Sequence, residues 1–467
     1  MNWIEQLVER FEEHSDFQYR QFRIGDESYT VLYMDSLVEN GYIQNHVAEK
    51  LKTCNDISVF PEIPTMDEAA QAIVEGKIIV WDTTRQVLLE AVSEGMETRS
   101  IQESENESLL RGPRDAFVES LNTNLSLVRR RLPNPDLIIN TYVLGRQTKT
   151  KVALLYMNGI VNPNILDEVR TRLSTIDVDQ VLESGVVEQW IEDSWYSPFP
   201  QVQQTELPTK VLHALLDGRV ALLVDGSPVA LLVPVTFSML FQAPDDYYER
   251  WMISSAIRII RLVAAVVALT LPSLYIALIS YHPGMIPTKL ALSITASRTE
   301  VPFPALIEAV AIEATLEMLR EAGLRLPKML SQTIGIVGGL VIGQAAVEAG
   351  IVSPVLVIVV AITAISSFLV PAYNMSVALR LLRFPLMLLS GSLGLFGLIL
   401  GVMLILIHLV SLKSFGINYL SPVVPYRPSD WKDLLIRAPL PYLNKRPKLL
   451  HPLNRTRMDL HKRKKGW

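Results

Sequence analysis

Three carboxylates stand where carboxylates are costly. The stretch 301–321 reads VPFPALIEAVAIEATLEMLRE, and Glu308, Glu313 and Glu317 sit in it among Ala, Val, Ile and Leu. At about 100° per residue, Glu313 and Glu317 share a helix face and Glu308 lies well away from it. A second run, 329–347, is uncharged, rich in glycine, and carries the amide of Gln344. Ionisable groups at membrane depth are functional candidates by default. Repeated around an axis of several copies, Glu308 or Glu313 would favour cations. Gln344 would add a polar ring, and Val341, Ile342 and Val347 an apolar constriction that gates by dewetting. Gly339 and Gly343, four apart, suit close helix packing. The competing reading leaves the glycines to pack helices and pairs the glutamates with Arg298 or Arg325. Glu317 and Glu321 likewise have Arg320 and Arg325 beside them.

Other chemistry finds no residues to carry it. There is no glycine loop to cradle phosphate, no nucleophile motif and no His/Cys set at metal spacing, and the seven His are scattered. The apolar runs offer only His408, serines, threonines and scattered acids, so neither an enzyme nor a cofactor or metal is expected. The single cysteine, Cys54, forms no intrachain disulfide and suits a reducing compartment.

The elements that must position these residues follow from charge and hydropathy. The 467 residues are 49% hydrophobic and 19% charged, with mean hydropathy +0.26. Residues 1–250 carry 21 basic and 39 acidic side chains, net −18; 251–412 carry 9 and 6, net +3; 413–467 carry 13 and 3, net +10. The pattern predicts an acidic soluble part (1–250), a helical multi-pass transmembrane domain (251–412) and a basic tail (413–467). Uncharged runs near 262–281, 329–347, 351–379 and 384–412 are long enough to span a bilayer. Pro272 predicts a kink in the first. The start, MNWIEQLVERFEEHSDF, has no signal-peptide pattern, and Arg258 and Arg261 flank the first run, so the soluble part and the tail are expected in the cytoplasm. Residues 282–320 leave the span count open, because 304–319 can cross, re-enter or lie aside.

The first 250 residues alternate strand and helix patterns. Hairpins are expected at 16–35, 77–91, 137–159 and 218–235, and helices near 43–51, 66–74, 114–131, 163–173, 178–183 and 186–193. VLYMDSLVENGYIQNHVAEKL (31–51) resembles ALLYMNGIVNPNILDEVRTRL (153–173), and GKIIVWDTTRQVLLEA (76–91) resembles GRVALLVDGSPVALLV (218–233). This suggests two related α/β subdomains, 1–110 and 136–250, joined by a linking helix at 111–135; chance likeness of generic patterns is the alternative. Arg129, Arg130 and Arg131 in that helix are read as partners for acids of the same region rather than as an anion site. The tail, ending HKRKKGW, reads as an extended segment along anionic headgroups. A nucleic-acid partner is not expected, since a net −18 domain repels polyanions.

RGPRDAFVESLNTNLSLVRRRL (111–132), DGRVALLVDGSPVALLVP (217–234), APDDYYERW (243–251), EVPFPALIEA (300–309), REAGLRLPK (320–328), GLVIGQAAVEAGIVSP (339–354) and LIHLVSLKSFG (406–416) give the chain its resemblance to the A-subunit family of bacterial spore germinant receptors, the GerA family. The resemblance implies a subunit of a nutrient-sensing receptor in the spore inner membrane that triggers germination. Its implied partners are a permease-like B subunit, which mainly binds the nutrient, and a lipoprotein C subunit. It implies a homo-oligomeric ring that conducts ions, and so a nutrient-gated cation channel. The alternative is a non-conducting scaffold whose soluble half docks partners while another subunit carries the flux.

Overall fold

The computed structural model describes residues 3–24, 27–38, 60–91, 107, 111–327 and 343–458. Two antiparallel sheets organise the N-terminal region. The first is built from β1 (Phe17–Ile24), β2 (Glu27–Met34), β3 (Glu62–Ile63), β4 (Ile78–Asp82) and β5 (Val87–Ala91), in the order β1-β2-β4-β5-β3. The second uses β6 (Leu137–Leu144), β7 (Thr150–Met157), β8 (Gln203–Thr205), β9 (Val220–Val224) and β10 (Ala230–Val233), in the order β6-β7-β9-β10-β8. The strand order is the same in both, so the likeness between segments is matched by a likeness of topology. Hairpins form at all four expected places. The expected helix near 43–51 lies outside the described residues.

The helices of this region are α1 (Trp3–Arg10), α2 (Met66–Val74), α3 (Leu121–Arg131), α4 (Pro163–Ser174), α5 (Ser184–Ile191), α6 (Pro208–Asp217) and the short α7 (Asp245–Tyr248). Strands β7 and β9 read as continuous apolar runs because both faces of their sheet are covered. Val152, Leu154, Leu222 and Val224 pack under α4 and α5, and Ala153, Leu155, Ala221 and Leu223 under α3 and α6. Two expected helices are corrected. Residues 178–183 are not helical, because Glu183 caps the start of α5, accepting from the Gly185 N–H at 2.7 Å. Helix α3 starts at Leu121 rather than Arg114. The backbone of Val118 is held instead by the side chain of Asn124, at 2.8 and 2.6 Å.

Helix α3 joins the two halves through Arg129, which is fully buried. Its guanidinium donates twice to Asp16, at 2.7 Å each, and once to the Leu137 carbonyl at 3.2 Å. Arg131 pairs with Asp115. Two members of the arginine cluster therefore meet acids of the same region.

The helical part comprises α8 (Trp251–Ser280), α9 (Thr288–Ser297), α10 (Ala305–Arg325), a short helix over 343–348, α11 (Pro354–Phe368) and α12 (Tyr373–Ser411). Among the described residues, α8 and α12 are long and apolar enough to cross a membrane. The 39 residues of α12 are not one rod. Gly394 has φ 62°, ψ −141°, which breaks the helix there. A Cβ added at Gly397 would collide with the Leu389 carbonyl, and one at Gly401 with the Leu386 side chain. In a straight helix residues 386 and 401 would stand ~22 Å apart. α12 is thus a hairpin of two arms, 373–393 and 395–411, roughly 32 and 26 Å long at the helical rise. Its glycines let the arms meet. The hydroxyl of Tyr281 donates to the carbonyl of Gly391 at 2.6 Å just before the break. Both open ends of the hairpin return to the α/β region, where Met375, Leu379, Leu409 and Leu412 share a core with Phe199, Val235 and Phe241.

Two expectations change here. Arg380 and Arg383 do not separate two spans at a surface; they lie buried inside the first arm. The tail does not run extended along headgroups over its described part, 413–458. It folds back onto the acidic region, consistent with the opposite net charges of the two segments. Phe415 enters the core of the second sheet, Arg457 pairs with Asp217, and Leu453 N–H donates to the Ile160 carbonyl at 3.0 Å.

Two outcomes are expected. Burial and the Arg129 charge push His14 down to about 4. Asp16 lies below its ordinary value: burial would raise it, but the charge and hydrogen bonds of Arg129 outweigh that. A depressed histidine contributes stability that is present above pH ~6.5 and lost as pH falls through about 4. His14→Gln should flatten that part of the pH profile of unfolding, a difference on the order of 2–3 kcal/mol. Gly394→Ala should cost about 1–3 kcal/mol in a thermal melt in detergent, while Gly284→Ala, with open space around it, should cost little.

Candidate functional site

Proline cannot donate a backbone hydrogen bond, so Pro272 inside α8 leaves the carbonyl of Ala268, four residues earlier, without its helical partner. Arg383 takes that place, donating from Nε at 2.8 Å. Its Nη1 reaches the carboxylate of Glu313 on α10. A helix interrupted by proline, an arginine on the α12 hairpin and a glutamate on α10 thus meet at one buried point. Both charged side chains are almost fully removed from solvent. Among the described residues, Nη2 of Arg383 and Oε1 of Glu313 have no hydrogen-bond partner.

Glu308, 1% exposed, is held differently. Its carboxylate accepts from Arg298 at 2.6 Å and from the Ser353 N–H. Arg298 also donates to the Tyr275 hydroxyl at 3.0 Å, which meets Ser353 Oγ at 2.9 Å. Ser353 caps α11, and Pro354 opens it. The carboxylate therefore faces the positive end of α11 while lying in the first turn of its own helix, and both dipoles favour it. On the other side of Glu313, Glu317 accepts from Arg320 at 3.0 Å, with Arg380 Nε at 3.8 Å. Arg320 lies 5.2 Å from the ring centre of Phe368. Glu321 and Arg325 form an exposed pair at 2.6 Å.

The three carboxylates thus form a ladder of ion pairs along α10. Arg298 for Glu308 is the pairing that the competing reading named. Glu313 finds Arg383, not Arg325. The available signal was spacing: Glu313 and Glu317 are four apart and Arg380 and Arg383 three apart, two rungs that match across a helix pair. Gln344 is exposed and donates to Glu348 at 2.8 Å; Val347 is half-buried, and Gly343 faces Val357. Val341, Ile342 and Gly339 lie outside the described residues.

All of these residues fall within 5–449, the part that matches the family model described as GerA, the Bacillus/Clostridium GerA spore germination protein. The chain belongs to the GerA family. It is 44% identical to Spore germination protein A1 of Bacillus subtilis (strain 168), over 85% of this chain and 82% of that protein. It is 40% identical to Spore germination protein KA of the same organism, over 96% and 86%. It is 41% identical there to a membrane protein, YfkQ, over 95% and 90%. A crystal structure of the N-terminal domain of the A subunit of the Bacillus megaterium spore germinant receptor GerK3 matches 50% of this chain and 94% of that one, at 30% identity and TM-score 0.39.

In this GerA-family chain a second polar cluster, at the root of α8, ties the helices to the α/β region. Arg258 is 2.9 Å from Asp246 and 2.7 Å from Asp433 of the tail, and Arg261 is 2.8 Å from Asp246. Arg437 donates to the carbonyls of Glu249 and Tyr247, and its N–H to Ser255 Oγ at 3.0 Å. The two arginines that the sequence offers as markers of orientation are thus engaged in structural ion pairs. His408, near the end of the second arm, meets Ser197 at 2.8 Å.

Removing one partner of a buried pair leaves the other charge uncompensated, which costs about 3–5 kcal/mol. Arg383→Gln should destabilise the purified protein by that order, and adding Glu313→Gln should restore most of the loss, as read by melting in detergent. Glu321→Gln, at the exposed pair, should change stability little.

Proposed function

We propose that this chain is the membrane subunit of a nutrient-sensing germinant receptor, and that several copies form a ring with a cation path. In this reading α8 and the two arms of α12 cross the spore inner membrane, the helical part as a whole crosses it an even number of times, and the α/β region and folded tail lie together on one side, in the cytoplasm. A permease-like partner binds the nutrient, and a lipoprotein completes the complex. Family membership supports the receptor role. The observation that carries the cation path is the exposed Gln344–Glu348 pair. It lies on the short helix that leads into Ser353 and the Glu308 network, a polar face turned away from its own bundle.

Glu308 and Glu313 are neutralised by Arg298 and Arg383 in the single subunit. They bear on cations only when a rung opens, so the ladder serves as the gate. Oε1 of Glu313 and Nη2 of Arg383, without a hydrogen-bond partner among the described residues, favour this reading, since an incompletely satisfied buried pair has alternatives to gain. Val341, Ile342 and Val347 supply the apolar constriction and Gly339 and Gly343 the close packing.

The test is cation release from nutrient-treated spores carrying Gln344→Ala, Val347→Ser, Glu308→Gln or Glu313→Gln, each with its abundance in the inner membrane measured. Variants that stay in the membrane should change the rate or selectivity of release. Unchanged release in all four, together with no conductance of the chain in liposomes with its permease-like partner, would leave the non-conducting scaffold instead.

A further inference from the structure

The folded tail encloses a cavity of about 350 Å³ against α6 and α7. Its charge is unbalanced. Lys432, Lys445 and Lys448 line it, and no carboxylate pairs with any of them among the described residues. Arg446 adds a fourth cation, whose guanidinium is bound among the described residues to backbone carbonyls, those of Leu216, Asn454 and Thr456. The three carboxylates in the lining are already engaged. Asp433 holds Arg258 and the Tyr247 hydroxyl, both at 2.7 Å. Asp430 accepts from the N–H groups of Lys448 and Leu449 at 3.0 and 2.8 Å. Asp217 meets Arg457 and His213. Burial, with Arg457 alongside, pulls the Arg446 pKa below its usual value, as expected where positive charge exceeds negative.

The depth of this cavity can be read from α8. Asp433 pairs with Arg258 and Arg437 meets Ser255, four and seven residues before the uncharged run that begins at Leu262. At ~1.5 Å per residue these contacts lie ~6 and ~10 Å outside the start of that run. A headgroup layer occupies roughly 5–8 Å on each side of the hydrocarbon core. Exposed Tyr442 lines the cavity with the lysines, and Ile436 and Leu440 are exposed on the same segment of the tail. Cations beside exposed apolar and aromatic side chains are the mark of an interfacial surface.

We propose that this cavity is a headgroup site that binds the phosphodiester of an anionic phospholipid through Lys432, Lys445, Lys448 and Arg446. The site lies beside Asp433, the residue that clamps the tail to α8, so an occupied headgroup braces the root of the first membrane helix. This rests on the reading of α8 as a membrane span.

The test uses the purified full-length chain in detergent, titrated with phosphatidylglycerol, phosphatidylcholine or inorganic phosphate, with retained lipid counted by native mass spectrometry and melting followed in parallel. Phosphatidylglycerol should be retained and should raise the melting temperature; phosphatidylcholine should do neither. The triple variant Lys432→Gln/Lys445→Gln/Lys448→Gln should melt normally without lipid but bind phosphatidylglycerol roughly a hundredfold more weakly. Lys289→Gln, at an exposed lysine beyond the opposite end of α8, should behave as wild type. Equal lipid binding by the triple variant overturns the site. So does stabilisation by inorganic phosphate that matches the lipid, or a defect confined to self-association. The membrane reading fails separately, if alkaline carbonate rather than detergent releases the chain from membranes.

Discussion

A guanidinium inside an apolar helix bundle must be met by partners, and Arg383 decides much of the arrangement around it. One partner is the Ala268 carbonyl, left without its helical donor by Pro272. The other is Glu313. Satisfying both fixes α8, α10 and the first arm of α12 relative to one another at a single point. The remaining contacts from α10 to other segments, Glu308 with Arg298 and Glu317 with Arg380, flank that point along α10. Such pairs contribute little net stability compared with well-packed apolar side chains. Their physical consequence is register: any sliding of α10 breaks a pair before it makes another.

The α/β region and the tail obey a simpler rule. Segments of net −18 and +10 are separated in sequence by 162 residues and joined in space. Phe415, Tyr419 and Leu450 bury apolar surface at the contact, while Arg457–Asp217 directs it. The hairpin in α12 makes this possible, because it returns the chain to the side on which α8 began. Both ends of the helical part therefore meet the same α/β region.

The parts of the fold legible in the sequence are those fixed locally. Alternating apolar residues and turn residues located the four hairpins, and helix 66–74 was expected at the bounds it adopts. Asn162-Pro163 marked the start of α4, where Asn162 does cap the helix. What was not legible depends on distant partners. Asn124 reaches back to Val118 and delays α3; Glu183 turns an expected helix into a cap. The break at Gly394 was hidden because the glycines of 391–401 fit equally a packing stripe on a straight helix. Of the candidate site, the carboxylates were identifiable by type and setting. The identity of Glu313's partner was not, since Arg383 looked like a boundary charge until the two arms were seen to fold together.

Phe415 occupies the core of the second sheet beside Val152 and Leu222, yet it is made only after every helix of the bundle. The ribosome therefore completes the N-terminal region last, though it begins it first. Until the final arm has been threaded and turned back, that sheet waits with an uncovered apolar patch. Maturation of the α/β region is in this way conditional on the hairpin: a molecule that fails to fold its two α12 arms together also fails to close its first-made domain.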